Sequence, residues 1–212
     1  MNLLAAWLRL ALVALLLALA ACGGKPKESP LPSGTKVLAL GDSLTAPHGV
    51  QPQEAWPTLL AQKTGWQVIN GGVSGNTSTQ ALERLPGLLE EHQPQLVLVG
   101  IGGNDMLRKQ PQNQTIENIG RMIDMARSKG AKVVLLATPK PSLAGAVLNN
   151  LSPPEFYAEI AKEKKVPLIE EAIPTVLSDT SLKGDQIHPN AAGHAKLGEL
   201  IHTDLKKIGF AG

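Results

Sequence analysis

A chain of 212 residues with 43% hydrophobic side chains has enough apolar material for one buried core, which excludes wholesale disorder. Twenty Lys and Arg against eighteen Asp and Glu leave a net charge of +2, so no overall field draws the protein to nucleic acid. With aromatics at 3% and a single cysteine, a base-stacking platform, internal disulfides and multi-cysteine metal sites are excluded too.

Met1 to Ala21 is apolar apart from Asn2 and Arg9, and Leu10 to Ala21 is an unbroken Leu, Ala and Val run. About 12 such residues make a secretory leader core, short of the roughly 20 that a membrane-spanning helix needs. The run ends Leu19-Ala20-Ala21-Cys22-Gly23, which resembles the lipobox of bacterial lipoproteins. That resemblance implies a signal peptide over residues 1–21 and lipidation of Cys22. The alternative is an ordinary leader cut after Ala-x-Ala, with Cys22 incidental. Gly23 in place of Asp after the cysteine points to the outer membrane of a Gram-negative envelope, facing the periplasm. Gly23 to Gly34 carries three prolines, glycines and charges with a single Leu, so residues 22–34 read as the lipidated cysteine and a flexible linker. The folded domain is expected over residues 35–212.

Within it, short apolar runs alternate with helix-period segments. The expected strands are Val37 to Leu40, Gln67 to Ile69, Leu96 to Val99, Val133 to Ala137 and Pro167 to Ile169. Those at 96–99 and 133–137 are continuously apolar, as in strands covered on both faces. The expected helices are Ala55 to Lys63, Thr79 to Glu91 with a kink at Pro86, Thr115 to Lys129, Pro153 to Lys164 and Asn190 to Lys207. Ser152 with Glu155 three residues on gives the fourth a capping box. Alternating β and α predicts a three-layer α/β/α sandwich around a mainly parallel five-stranded sheet. Function in such folds sits beyond the carboxyl ends of the strands.

Four loops follow. After the first strand comes Gly41-Asp42-Ser43-Leu44, an ordinary turn if it stood alone. Gly71-Gly72-Val73-Ser74-Gly75-Asn76-Thr77 follows the second and Gly102-Gly103-Asn104-Asp105 the third. Neither has the ending of a phosphate-binding loop. Near the end lies Asp185-Gln186-Ile187-His188-Pro189-Asn190, where an Asp three residues before a His can turn back onto one imidazole nitrogen and leave the other for a nucleophile. In this order the four pieces resemble the blocks of the SGNH hydrolase superfamily, the GDSL esterases and lipases, from Lys36 to Leu205. Ile101 to Leu107 and Ile187 to Asn190 look closest to its bacterial thioesterase, lysophospholipase and arylesterase branch, and Glu54 to Ala61, with Ala-Trp-Pro-x-Leu-Leu-Ala, resembles it too.

The resemblance implies a flavodoxin-like fold and a serine hydrolase. Ser43 would be the nucleophile, His188 its general base, and Asp185 the residue fixing the His188 tautomer. The backbone of Ser43, the backbone of Gly75 and the amide of Asn104 would form the oxyanion hole. A small ester or lipid-like acyl substrate is implied, with no cofactor, no nucleic acid and a monomeric state. Thr45-Ala46-Pro47-His48-Gly49 departs from the family pattern beside the nucleophile. His48 there reads as an exposed loop residue, with a place in the pocket wall as the alternative, Asp42 and Asp105 as hydrogen bonders that shape the loops, and Trp56 and Trp66 as packing anchors. No metal is expected, because the sequence has no helical His-x-x-x-His pair. Two further readings stay open: an O-acetyl esterase of envelope polysaccharide, and a non-catalytic binding lipoprotein that keeps the fold.

Overall fold

A computed structural model of the chain describes residues 28–142, 145 and 150–212. The expected signal peptide, Cys22 and residues 23–27 lie outside them. Five strands, β1 (Lys36–Gly41), β2 (Gln67–Gly72), β3 (Leu96–Gly100), β4 (Lys132–Leu136) and β5 (Leu168–Ile169), form one sheet in the order β2-β1-β3-β4-β5. Every neighbouring pair is parallel. Among the described residues seven α-helices accompany them: α1 (Trp56–Thr64), α2 (Ser78–His92), α3 (Gly103–Leu107), α4 (Gln112–Ser128), α5 (Phe156–Lys164), α6 (Ala172–Ser178) and α7 (Ala191–Ile208).

The two-residue side-chain period of a strand explains the layers. Leu38 and Leu40 point to one face, with Val97, Val99, Val133 and Leu135, and meet Leu85, Leu89, Ile119 and Ile160 of α2, α4 and α5. Val37 and Ala39 point to the other face, with Leu96, Leu98, Val134 and Leu136, and meet Leu60, Ile173, Leu197 and Ile201 of α1, α6 and α7. Trp56 and Trp66 are buried in this second layer, as packing anchors should be. Because both faces are covered, the central strands need no polar residue.

Helix ends follow local chemistry. Thr77 caps α2 by accepting from the Gln80 amide, with the Gln80 side chain returning to Thr77, and Pro86 lies inside α2 without ending it. Asn190 caps α7 by accepting from the Gly193 amide at 2.9 Å. The capping box expected at Ser152 is not formed. The Ser152 carbonyl instead accepts from the Lys140 amide, and α5 begins three residues later than expected, at Phe156. The short α3 and α6 were not expected, since neither is long enough to show a helical period.

The expected free linker is also shorter than its composition suggests. From Glu28 the chain is packed on the domain: the Glu28 amide donates to the Ile208 carbonyl at 3.0 Å and the Leu31 amide to the Phe210 carbonyl at 2.8 Å. The Trp66 indole donates to the Leu31 carbonyl at 3.3 Å. A lone Leu among prolines gave no periodic signal, but Leu31 packs against the second core layer.

Candidate active site

The strand order reverses between β1 and β3, and loops leaving these two strands open a crevice at the carboxyl edge of the sheet. Beyond β1 the chain turns at once. Thr45 and Ala46 amides donate to the Asp42 carbonyl at 3.1 and 2.9 Å, and the Leu44 amide donates to Asp42 Oδ1 at 3.0 Å. This turn holds Ser43 at the crevice floor, 8% exposed.

On the opposite side, Asp185 organises its own loop. Its Oδ1 accepts from the amides of Ile187 and His188, both at 2.8 Å, and its Oδ2 lies 2.8 Å from His188 Nδ1. The Gly184 amide closes the loop onto the His188 carbonyl at 3.0 Å. His188 Nε2 then meets Ser43 Oγ at 2.9 Å, across 145 residues of sequence. With Nδ1 donating to a carboxylate, Nε2 is left to accept the serine proton. Partial burial works against the Asp185 charge, but the bonds from the His188 ring and the two amides overcome it, and its carboxyl falls to about 2.

The remaining two loops are joined by buried polar bonds. Asp105 of α3 accepts from the Ser78 amide at 2.8 Å and the Ser78 hydroxyl at 2.6 Å, which ties α3 to the start of α2. Thr115 donates to the same carboxylate at 3.3 Å, and Asn118 donates to Ser78 Oγ at 3.0 Å. Asn104, one residue earlier, is thereby aimed at the crevice. Its Nδ2 lies 3.1 Å from the Asn76 carbonyl and 3.3 Å from Asp42 Oδ2. Gly75 takes a left-handed φ of +79°, which a side chain would strain, and its carbonyl accepts from Arg108 at 2.9 Å. Among the described residues, no backbone carbonyl accepts from the Ser43 or Gly75 amide.

Asp42 is 2% exposed, and burial pushes its carboxyl up to about 6 against the pull of the Leu44 amide and Asn104. Asp42 and Asp105 therefore shape the loops, as expected from the sequence. His48 is exposed in its loop, as expected, yet its ring lies beside the site: its centroid is 4.0 Å from that of His188, with the planes inclined by 37°. His48, Asp185 and His188 bring three potential metal-ligand atoms within 4.8 Å of one another. Both His188 nitrogens are already engaged, so this group is committed to the hydrogen-bonded chain rather than to an ion.

Sequence reasoning missed Arg84 and Arg108. Arg84 reaches from α2 to Asn76 Oδ1 at 2.8 Å and to the Gly41 carbonyl at 2.7 Å, and so braces the second loop against the first. Nothing local marks either arginine, because their partners, the Gly41 and Gly75 carbonyls and the Asn76 side chain, lie in other loops and no periodic pattern points to them. Ser43, Asn104 and His188 open into a cavity of about 580 Å³ whose walls include Leu44, Leu107, Pro139, Leu151, Leu177 and Ile187. Leu107 and Ile187 at its rim are 45% and 44% exposed, so the apolar lining continues to the surface.

The GDSL-like Lipase/Acylhydrolase family matches residues 39–196 of this chain. Thioesterase 1/protease 1/lysophospholipase L1 of Escherichia coli strain K12 is 38% identical over 177 residues, which is 81% of this chain and 84% of that protein. The arylesterase of Vibrio mimicus is 32% identical over 178 residues, covering 81% of this chain and 88% of its own. Among solved structures, the crystal structure of TesA superposes with a TM-score of 0.73 at 31% identity, covering 82% of this chain and 99% of the other.

Proposed function

This chain belongs to the GDSL-like lipase/acylhydrolase family and is a hydrolase of ester bonds; from that premise we propose that it cleaves carboxylic esters and thioesters, such as aryl or acyl esters and lysophospholipids, through an acyl-enzyme on Ser43. The observation that carries this reading is the unbroken line from Asp185 through His188 to Ser43, at 2.8 and 2.9 Å, on the floor of an apolar cavity.

In the proposed sequence His188 Nε2 takes the Ser43 proton as Oγ attacks the carbonyl carbon. Asp185, charged at any pH above about 4, stabilises the imidazolium that results. The Ser43 and Gly75 amides and Asn104 Nδ2 receive the developing oxyanion, and Asn104 exchanges its resting bond to the Asn76 carbonyl for one to that oxygen. His188 returns the proton to the leaving alcohol or thiol. It then activates a water that releases the acyl group and restores Ser43.

An apolar cavity of about 580 Å³ suits an acyl chain better than an acetyl group on a sugar. The name of one relative, a thioesterase/lysophospholipase, points the same way. The test is hydrolysis of p-nitrophenyl esters from acetyl to palmitoyl, beside Ser43→Ala. The reading requires turnover that Ser43→Ala abolishes, together with loss of fluorophosphonate labelling, and a chain-length optimum beyond acetyl. An optimum at acetyl would favour the O-acetyl esterase, and undiminished activity of Ser43→Ala would remove the serine mechanism.

We also propose that Cys22 is acylated and anchors the protein in the cell envelope, in the outer membrane facing the periplasm if the host is Gram-negative. The Leu-Ala-Ala-Cys run and the position of the cysteine just ahead of the folded unit support this. Incorporation of labelled palmitate that Cys22→Ser eliminates is the expected result.

A further inference from the structure

We infer that the anchored enzyme stands with the amino-terminal edge of its sheet on the membrane and its active site facing away, so that it draws its ester substrate from the aqueous compartment and not from the bilayer that holds it. This rests on the acylation of Cys22 proposed above. The argument is one of reach. Glu28 is fixed at the edge opposite the site: its amide bonds to Ile208, the last residue of α7, and its carboxylate pairs with Lys132, the first residue of β4. The Lys132 ammonium also sits 5.3 Å from the centre of the Phe210 ring. A side chain at Gly209, whose φ is +107°, would collide with the Glu28 backbone, so this seat is closely fitted.

From there to the site is the length of α7. The helix begins three residues after His188 and runs 18 residues to Ile208, about 27 Å at 1.5 Å per residue. From Cys22 to Glu28 the chain takes only six residue steps, which even fully extended reach about 20 Å. An anchor at Cys22 therefore cannot climb past the fold and bring the mouth face-down on the same membrane.

Charge favours the same posture. α1, α4, α5 and α7 all run back from the site edge, so their last turns gather at the opposite edge, and these carry Lys63, Arg127, Lys162, Lys164, Lys206 and Lys207. Lysine at a helix C-terminus complements the helix dipole, and the parallel topology collects these cations on one face. Lys164 and Lys207 are paired with Asp124 and Asp204, and α2 ends in Glu90 and Glu91, but basic groups predominate there. Such a face is attracted to anionic headgroups. The exposed apolar rim of Leu107 and Ile187 is then presented to the aqueous side, where an acyl chain arriving from a micelle or a carrier can enter.

The test uses the full acylated protein reconstituted in vesicles of phosphatidylethanolamine and phosphatidylglycerol that contain a headgroup-nitroxide lipid. Cys22 is the only native cysteine, so a bimane label is placed by Lys206→Cys at the base or by Gln110→Cys beside the rim. The expected result is loss of fluorescence at position 206 and none at position 110. Hydrolysis of p-nitrophenyl butyrate should have the same kcat/KM in vesicles as for Cys22→Ser in solution. Quenching at position 110, or at neither position, overturns the orientation while the anchor stands. A mass showing no acyl chains removes the anchor and the orientation together, and leaves the esterase reading intact.

Discussion

Acid should act on this fold through two buried groups of opposite sign, and replacing His194 should expose the balance. His194 is fully buried in α7, its Nδ1 accepts the Trp56 amide at 3.3 Å, and its Nε2 has no partner among the described residues. A second ring proton would point at the Trp56 N–H, so the folded protein needs the neutral ring. Burial lowers its pKa from 6.5 to about 4, with nearby His188 adding to the shift and Glu54 opposing it. Below about 6.5 the unfolded chain takes up this proton and the folded chain does not. Stability from His194 is therefore fully present above pH 6.5 and is lost as pH falls toward 4, about 3 kcal/mol in all. Asp42 does the reverse. Its folded pKa is raised from 3.8 to about 6, so its contribution is present below about 4 and is lost as pH rises through 6, again about 3 kcal/mol. Between pH 4 and 6 the two nearly cancel. His194→Asn keeps an acceptor for the Trp56 amide without the titration, so relative to wild type the variant should gain about 3 kcal/mol between pH 6.5 and 4. Urea unfolding at intervals across that range, at fixed ionic strength, measures the difference between the two profiles. Parallel profiles would refute the reasoning, whatever constant cost the smaller side chain adds.

At the site itself, the proposed oxyanion role of Asn104 requires that Asn104→Ala lower kcat by about 10²–10³ with a smaller change in KM; a change confined to KM would exclude that role. Asp185→Asn should leave the fold intact and reduce kcat by up to about 10⁴, because an amide holds the wrong His188 tautomer; activity within a few-fold of wild type would place His188 orientation elsewhere. His48→Ala removes a stacked ring worth about 0.5–1.5 kcal/mol, so kcat should fall roughly 2–10-fold. His48→Phe should restore most of it, and failure of that rescue would mean the contact does not steady the His188 ring.

Much of the site can be read from the chain because its pieces are local. Asp185 and His188 stand three residues apart, and a carboxylate that takes the amides of residues two and three positions on turns its second oxygen toward the ring by short-range geometry alone. Asp42 shapes the Ser43 turn through its own neighbours in the same way. The continuously apolar runs at 96–99 and 133–137 demand cover on two faces, so a parallel sheet between helix layers follows from composition and period. Other expectations gave way to distant partners. The Ser152 carbonyl is taken by Lys140, and Glu28 and Leu31 are taken by the end of α7.

By itself, then, the sequence determines the alternation of strands and helices, the four loops, and the short-range turns that present Ser43 and His188. Only the tertiary structure decides that Ser43 and His188 meet across 145 residues, that His48 stacks on that histidine, and that Arg84 of α2 and Arg108 just past α3 brace the loops. The reason is physical. Period and turn chemistry act over a few residues, whereas these contacts exist only once the sheet has closed and its carboxyl edge has brought distant loops into one crevice.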